Sequence, residues 1–128
     1  MIPLFKVRMA AAASEIVGRT LHSGVVTQGP RVEEFEEALR TVLGASVLTV
    51  NSGTSAITLA LHLSGVGPGD EVVVTPMTCT ATVCPIVTRG ARPVWADIDP
   101  LTGLIDPADV ARKTTELTRA VVAVDFGG

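Results

Sequence analysis

Apolar residues along the chain alternate between two spacings, and the alternation lays out helices and strands in turn. Val32, Phe35, Leu39 and Val42 fall three and four apart, which predicts a helix over Val32–Leu43. Glu33, Glu34, Glu36 and Glu37 fill its early turns, where the helix dipole favours carboxylates; Pro30 precedes its start and Gly44 ends it. An earlier helix is predicted from about Ala10 to His22. Ser46–Val50 reads as a short strand, and after the turn Asn51-Ser52-Gly53-Thr54 a mostly apolar helix is expected over Ser55–Leu63. The run Glu71–Thr75, all valine in its middle, predicts a second strand. A helix over Thr80–Arg89 stops at Gly90, and a third strand spans Arg92–Ala96. Asp106-Pro107 reads as an N-cap followed by proline at the first helical position, opening a helix to about Lys113. Arg119–Val124 is the last predicted strand.

Strands separated by helical segments are the βαβ signature of a mainly parallel sheet covered by helices. The predicted class is α/β, a three-layer α/β/α arrangement. The two N-terminal helices, rich in surface glutamate, are expected to stand away from the sheet. A near-continuous apolar strand such as Val121–Val124 normally lies inside a parallel sheet. A domain seldom stops just after one, so the sequence is expected to be the N-terminal part of a longer protein.

Composition narrows the class. Of 128 residues, 47% are hydrophobic and 18% charged, which excludes a disordered tail. The net charge is -3 with 10 basic residues spread along the chain, so the electrostatic footprint of a nucleic-acid or membrane surface is missing. The apolar runs are too short for a membrane helix. No basic segment leads into an apolar one at the start, so a cytoplasmic location is expected. Cys79 and Cys84 are too few for a disulfide scaffold and lack zinc-ligand spacing; they read as buried thiols in a reducing compartment. His22 and His62 are isolated and read as structural, and no metal site is expected.

Chemistry concentrates in a few turns. Asn51-Ser52-Gly53-Thr54-Ser55 joins a strand to a helix, and free N–H groups, the helix dipole and hydroxyl donors together suit a phosphate. An ordinary N-cap explains the same residues. It is not a P-loop, because no lysine follows. Gly65-Val66-Gly67-Pro68-Gly69 mimics a dinucleotide fingerprint but follows a helix and precedes a strand, so it reads as a Schellman helix end with a turn. Thr75–Thr82 follows a buried strand and opens a helix. That is a place where ligand contacts collect, and equally one where threonines cap a turn. Asp97 and Asp99, beside Pro100 and Gly103, read as turn residues.

Taken in order, these pieces carry a resemblance: Ile2-Pro3-Leu4, Ser23-Gly24, Thr27-Gln28-Gly29-Pro30, Val32–Glu36, Asn51–Ala56, Gly67–Val72, Gly90–Val94 and Asp97–Pro100. The series resembles the opening of the DegT/DnrJ/EryC1/StrS sugar aminotransferases over essentially the whole chain. The resemblance implies a fold type I enzyme that uses pyridoxal 5'-phosphate and an amino donor to aminate a nucleotide-linked keto-sugar. It also implies a homodimer and a place in polysaccharide biosynthesis. Residues 1–128 would then be part of the cofactor-binding large domain, with a helical segment at 1–44 and a βαβ portion at 45–128.

Residue by residue, the resemblance assigns Gly53 and Thr54 to the cofactor phosphate, with Ser55 adding a donor. Cys79 falls where most members stack an aromatic ring on the pyridine face, and a thiol offers far less area. Val83 and Cys84 lie in a stretch that is often polar in the family. Asp125 stands where many members have a histidine near the cofactor's edge. The Schiff-base lysine and the aspartate opposite the pyridinium nitrogen are expected beyond Gly128, because Lys6 and Lys113 match neither. Residues 1–128 alone are therefore expected to be inactive. A sugar dehydratase on the same scaffold and a non-catalytic phosphate- or nucleotide-binding module remain as alternatives.

Overall fold

A computed structural model describes Ile2 and residues 6–127. Pro3 and Leu4, which belong to the resemblance, lie outside the described residues. The chain forms two compact units, one ending at Thr49 and the other beginning at Val50.

The first unit holds α1 (Ala13–His22) and α2 (Pro30–Leu43). Pro30 takes the first turn of α2, where a missing N–H costs nothing, and Gly44 closes the helix at φ 64° with its N–H donating to the Arg40 carbonyl at 2.8 Å. The predicted apolar stripe of α2 is not covered in this unit: Phe35 is 55% and Val42 80% exposed. The buried residue of α2 is Glu36. Its Oε1 accepts the Thr49 N–H at 2.8 Å and the Thr49 hydroxyl at 2.9 Å, fastening the segment after α2 to the helix. The Thr49 amide, then its hydroxyl, hold the Glu36 carboxyl below its ordinary range. The predicted strand Ser46–Val50 is not formed. Its residues carry β-propensity, but no strand among the described residues pairs with them, and a strand exists only through its ladder.

The second unit runs α3 (Gly53–Leu63), β1 (Glu71–Val74), α4 (Thr80–Thr88), β2 (Arg92–Trp95), α5 (Pro107–Lys113) and β3 (Thr118–Val122). All three strands are parallel in the order β2-β1-β3, with Val74 opposite both Trp95 and Val122. The α/β class with a parallel sheet stands as expected. At the start of β2 and just past its end, Arg92 and Ala96 donate their N–H groups to the Asp70 and Val74 carbonyls, so the intervening Pro93, which has no N–H, sits where donors face away from β1. One face of the sheet carries the core: Val72 and Val74 pack with Leu61, Val66, Ile86 and Ala91.

The turns keep their sequence grammar. α3 ends in a Schellman motif, Val66 N–H to the Leu61 carbonyl and Gly65 N–H to that of His62, both 3.0 Å, with Gly65 at φ 74°. α4 ends the same way at Gly90, where a Cβ would also come within 3.0 Å of Pro68 Cγ. Asp106 caps α5 by accepting the Ala108 N–H at 2.8 Å. Polar anchors the sequence did not reveal complete the frame. Buried Glu71 pairs with Arg92 and accepts from Thr115, and the Arg89 guanidinium donates to the Val66 carbonyl at 2.8 and 3.1 Å.

Candidate functional site

α3 reaches β1 through the short turn Gly67–Asp70, so helix and strand run in opposite directions and the start of α3 is delivered toward the C-terminal end of the sheet. β1 and β3 are adjacent and in register at Val74 and Val122, so the segments Thr75–Cys79 and Ala123–Asp125 leave neighbouring strands at that same end. Connections diverge here: β1 leads through α4 to one neighbour, and β3 lies on the other side. Open α/β sheets bind ligands at this kind of switch point.

The start of α3 is built by Asn51, Ser52 and Ser55. Ser52 is the N-cap, in extended backbone, and its Oγ accepts the Ser55 N–H at 3.1 Å. The Ser52 hydroxyl donates to Ser55 Oγ at 3.0 Å, and the Ser55 hydroxyl donates to Asn51 Oδ1 at 2.7 Å. The Ala56 N–H goes to the Ser52 carbonyl at 3.0 Å. Among the described residues, the Gly53 and Thr54 N–H groups and the Thr54 hydroxyl have no protein acceptor.

Gly53 itself is informative. A Cβ built there meets no heavy atom within 4 Å, and its φ is not in the left-handed region. Neither packing nor backbone conformation among the described residues calls for glycine at 53, as is also true of Gly18 and Gly67; at a helix start the missing Cβ leaves room for close approach of another group. A tetrahedral anion fits the donors: N–H groups at a helix start, one hydroxyl, and a glycine that lets its oxygens come near.

The remaining predicted residues are placed as follows. Cys79 stands at the N-cap position of α4, exposed, with Sγ 3.7 Å from Thr82 Oγ1. That hydroxyl, ahead of the opposing effect of partial burial, lowers the thiol below its usual titration range. Cys84 is also exposed. The expectation of two buried thiols is therefore wrong: the covered residues of α4 are Thr82, Pro85 and Ile86, and neither cysteine is among them. Thr75 and Thr78 serve the turn, Thr75 Oγ1 accepting the Met77 N–H and Thr78 donating to Thr82 at 2.8 Å. Asp125 is exposed beyond β3.

Asp97 and Asp99 hold a turn, as read: Asp99 Oδ1 accepts the Leu101 N–H at 2.7 Å, and Ile98 bridges Ile105. Asp109, which the sequence did not single out, is buried and accepts the Asp97 N–H at 2.7 Å and the Arg112 Nε–H at 3.1 Å. The Asp97 amide, with Arg112 beside it, holds this carboxyl below its ordinary range. Among the described residues no cluster of three or more His, Cys, Asp or Glu could hold a metal, and no helix is long and apolar enough to cross a membrane.

Residues 8–128 match the model of the DegT/DnrJ/EryC1/StrS aminotransferase family. The spore coat polysaccharide biosynthesis protein SpsC of Bacillus subtilis (strain 168) is 46% identical over 113 residues, covering 88% of this chain and 29% of that protein. AtS13 from Actinomadura melliaura superposes with a TM-score of 0.92 at 45% identity, over 100% of this chain and 35% of that one. Spr1654 from Streptococcus pneumoniae, in its PLP form, gives 0.86 at 36% identity, over 94% and 31%. The chain thus spans roughly a third of each relative's length.

Proposed function

Because this chain belongs to the DegT/DnrJ/EryC1/StrS aminotransferase family, we propose that it is the N-terminal portion of an enzyme that uses pyridoxal 5'-phosphate to aminate a nucleotide-linked keto-sugar. The observation that carries the reading is the start of α3, where three donors at Gly53 and Thr54 have no protein acceptor among the described residues and the missing Cβ of Gly53 leaves open space beside them. A relative of similar fold, Spr1654, has PLP and PMP forms, which supports the identity of the phosphate-bearing group.

In this reading Gly53 and Thr54 bind the phosphate through their N–H groups and the Thr54 hydroxyl, and the α3 dipole favours its charge. Cys79 would offer the ring dispersion contact over a small area. Asp125, exposed beyond β3, would be a further contact to the cofactor. The chemistry the cofactor supplies when bound is an electron sink for amino-group transfer, and residues downstream of 128 provide the lysine and the ring-nitrogen carboxylate. The enzyme works as a homodimer in the cytoplasm. Leu21, Phe35 and Val42 in the first unit are exposed, which is compatible with cover by another subunit.

The test is direct. The purified enzyme, stripped of cofactor, is titrated with pyridoxal 5'-phosphate and then assayed for amino transfer from an amino acid to nucleotide-linked keto-sugars. Saturable cofactor binding with formation of an amino sugar supports the proposal. A protein that binds no cofactor refutes it, and loss of water from the sugar with no amino product would identify a dehydratase.

A further inference from the structure

Ser55 reads from the sequence as a third donor to the phosphate, but its hydrogen bonds are committed elsewhere. Its N–H goes to Ser52 Oγ at 3.1 Å, and its single hydroxyl proton goes to Asn51 Oδ1 at 2.7 Å. The Ser52 hydroxyl closes the arrangement onto Ser55 Oγ at 3.0 Å. A phosphate oxygen accepts hydrogen bonds and does not donate them at neutral pH, so Ser55 has nothing to offer it while this ring is intact.

We propose that Ser55 and Asn51 are positioning residues for the cofactor phosphate: their side chains lock the first turn of α3 so that the donors of Gly53 and Thr54 converge on one point. The inference rests on the reading of this turn as the phosphate site. The ring involves a residue on each side of Gly53 and Thr54, so it fixes both ends of the peptide segment that carries the donors. It also satisfies the Ser55 N–H, one of the helix-start donors that would otherwise compete for the anion. Asn51 precedes the helix and is not itself a phosphate donor here; it acts only by receiving the Ser55 proton.

The experiment compares Ser55→Ala, Asn51→Ala, the double variant and Ser55→Thr in the enzyme stripped of cofactor. The dissociation constants of pyridoxal 5'-phosphate, of pyridoxal without its phosphate, and of inorganic phosphate are measured by calorimetry. Losing one neutral hydrogen bond of the ring is expected to raise the constants for the two phosphate-bearing probes about threefold to tenfold, with pyridoxal unchanged. The double variant is expected to be no weaker than the weaker single, because both substitutions break one ring. Ser55→Thr, which keeps the hydroxyl, is expected to bind as wild type does.

Additive losses, or a loss in Ser55→Ala with none in Asn51→Ala, would make Ser55 a direct ligand and overturn the proposal. Unchanged affinity in both single variants, with Thr54→Ala still weakened, would overturn it while leaving the phosphate site standing. If Thr54→Ala too is unaffected, the site itself is wrong and the proposal falls with it.

Discussion

Replacing Gly53 by alanine should move apoprotein stability and cofactor affinity in opposite directions. A Cβ at Gly53 meets nothing within 4 Å, and the residue occupies the first position of α3 without a left-handed φ. With no steric penalty in the folded chain, alanine acts mainly by restricting the unfolded one, and a stabilisation of about 0.4–1 kcal/mol is expected. The same methyl group would stand where the proposal brings phosphate oxygens to the Gly53 N–H. Displacing one charge-assisted hydrogen bond, worth about 1.5–3 kcal/mol, raises the dissociation constant by about one to two decades. Urea denaturation of the cofactor-free enzyme reads the first effect, and spectrophotometric titration with pyridoxal 5'-phosphate reads the second. A Gly53→Ala enzyme that is less stable without cofactor and binds it as tightly as wild type would refute the reasoning, because glycine would then serve the backbone rather than the ligand.

Further outcomes follow from other groups. Asp109 has a lowered carboxyl pKa, so its contribution to stability is fully present above the unfolded value of about 4 and is lost as pH falls through its lower folded value. Asp109→Asn should therefore reduce stability at pH 7 and flatten the acid limb of a stability–pH curve; an unchanged acid limb would contradict the pairing. Cys79 and Cys84 are both exposed, and the Thr82 hydroxyl lowers the Cys79 thiol's titration point. Iodoacetamide at pH 7.5 or so should alkylate Cys79 first, and Thr82→Val should slow it, as read by peptide mass mapping.

What the sequence made legible was local. Asp106-Pro107, Gly44, Gly65 and Gly90 announce helix ends because capping depends on residues a few positions apart, and each acts as its type requires. The valine run of β1 was legible for the same reason, since a buried strand shows as a continuous apolar run. Ser46–Val50 was misread because strand formation needs a partner that propensity does not supply. Glu36 looked like a surface carboxylate favourable to the helix dipole. It is instead buried against Thr49, 13 positions away, and nothing in the spacing signals that bond. At the site, the turn that carries the donors of Gly53 and Thr54 was legible, whereas the commitment of Ser55 to Asn51 and Ser52 depends on rotamers that only the folded turn defines.

The most direct test of the central claim, that Gly53 and Thr54 hold the cofactor phosphate, is the ratio of pyridoxal affinity to pyridoxal 5'-phosphate affinity in wild type and Thr54→Ala. The Thr54 hydroxyl has no protein partner among the described residues, so its removal should leave the unfolding midpoint of the cofactor-free enzyme nearly unchanged. The advantage conferred by the phosphate is expected to fall by about one to two decades in the variant, from the loss of one charge-assisted hydrogen bond. An unchanged ratio, accompanied by a loss of about 1 kcal/mol in the stability of the cofactor-free enzyme, would show instead that the turn only caps its helix.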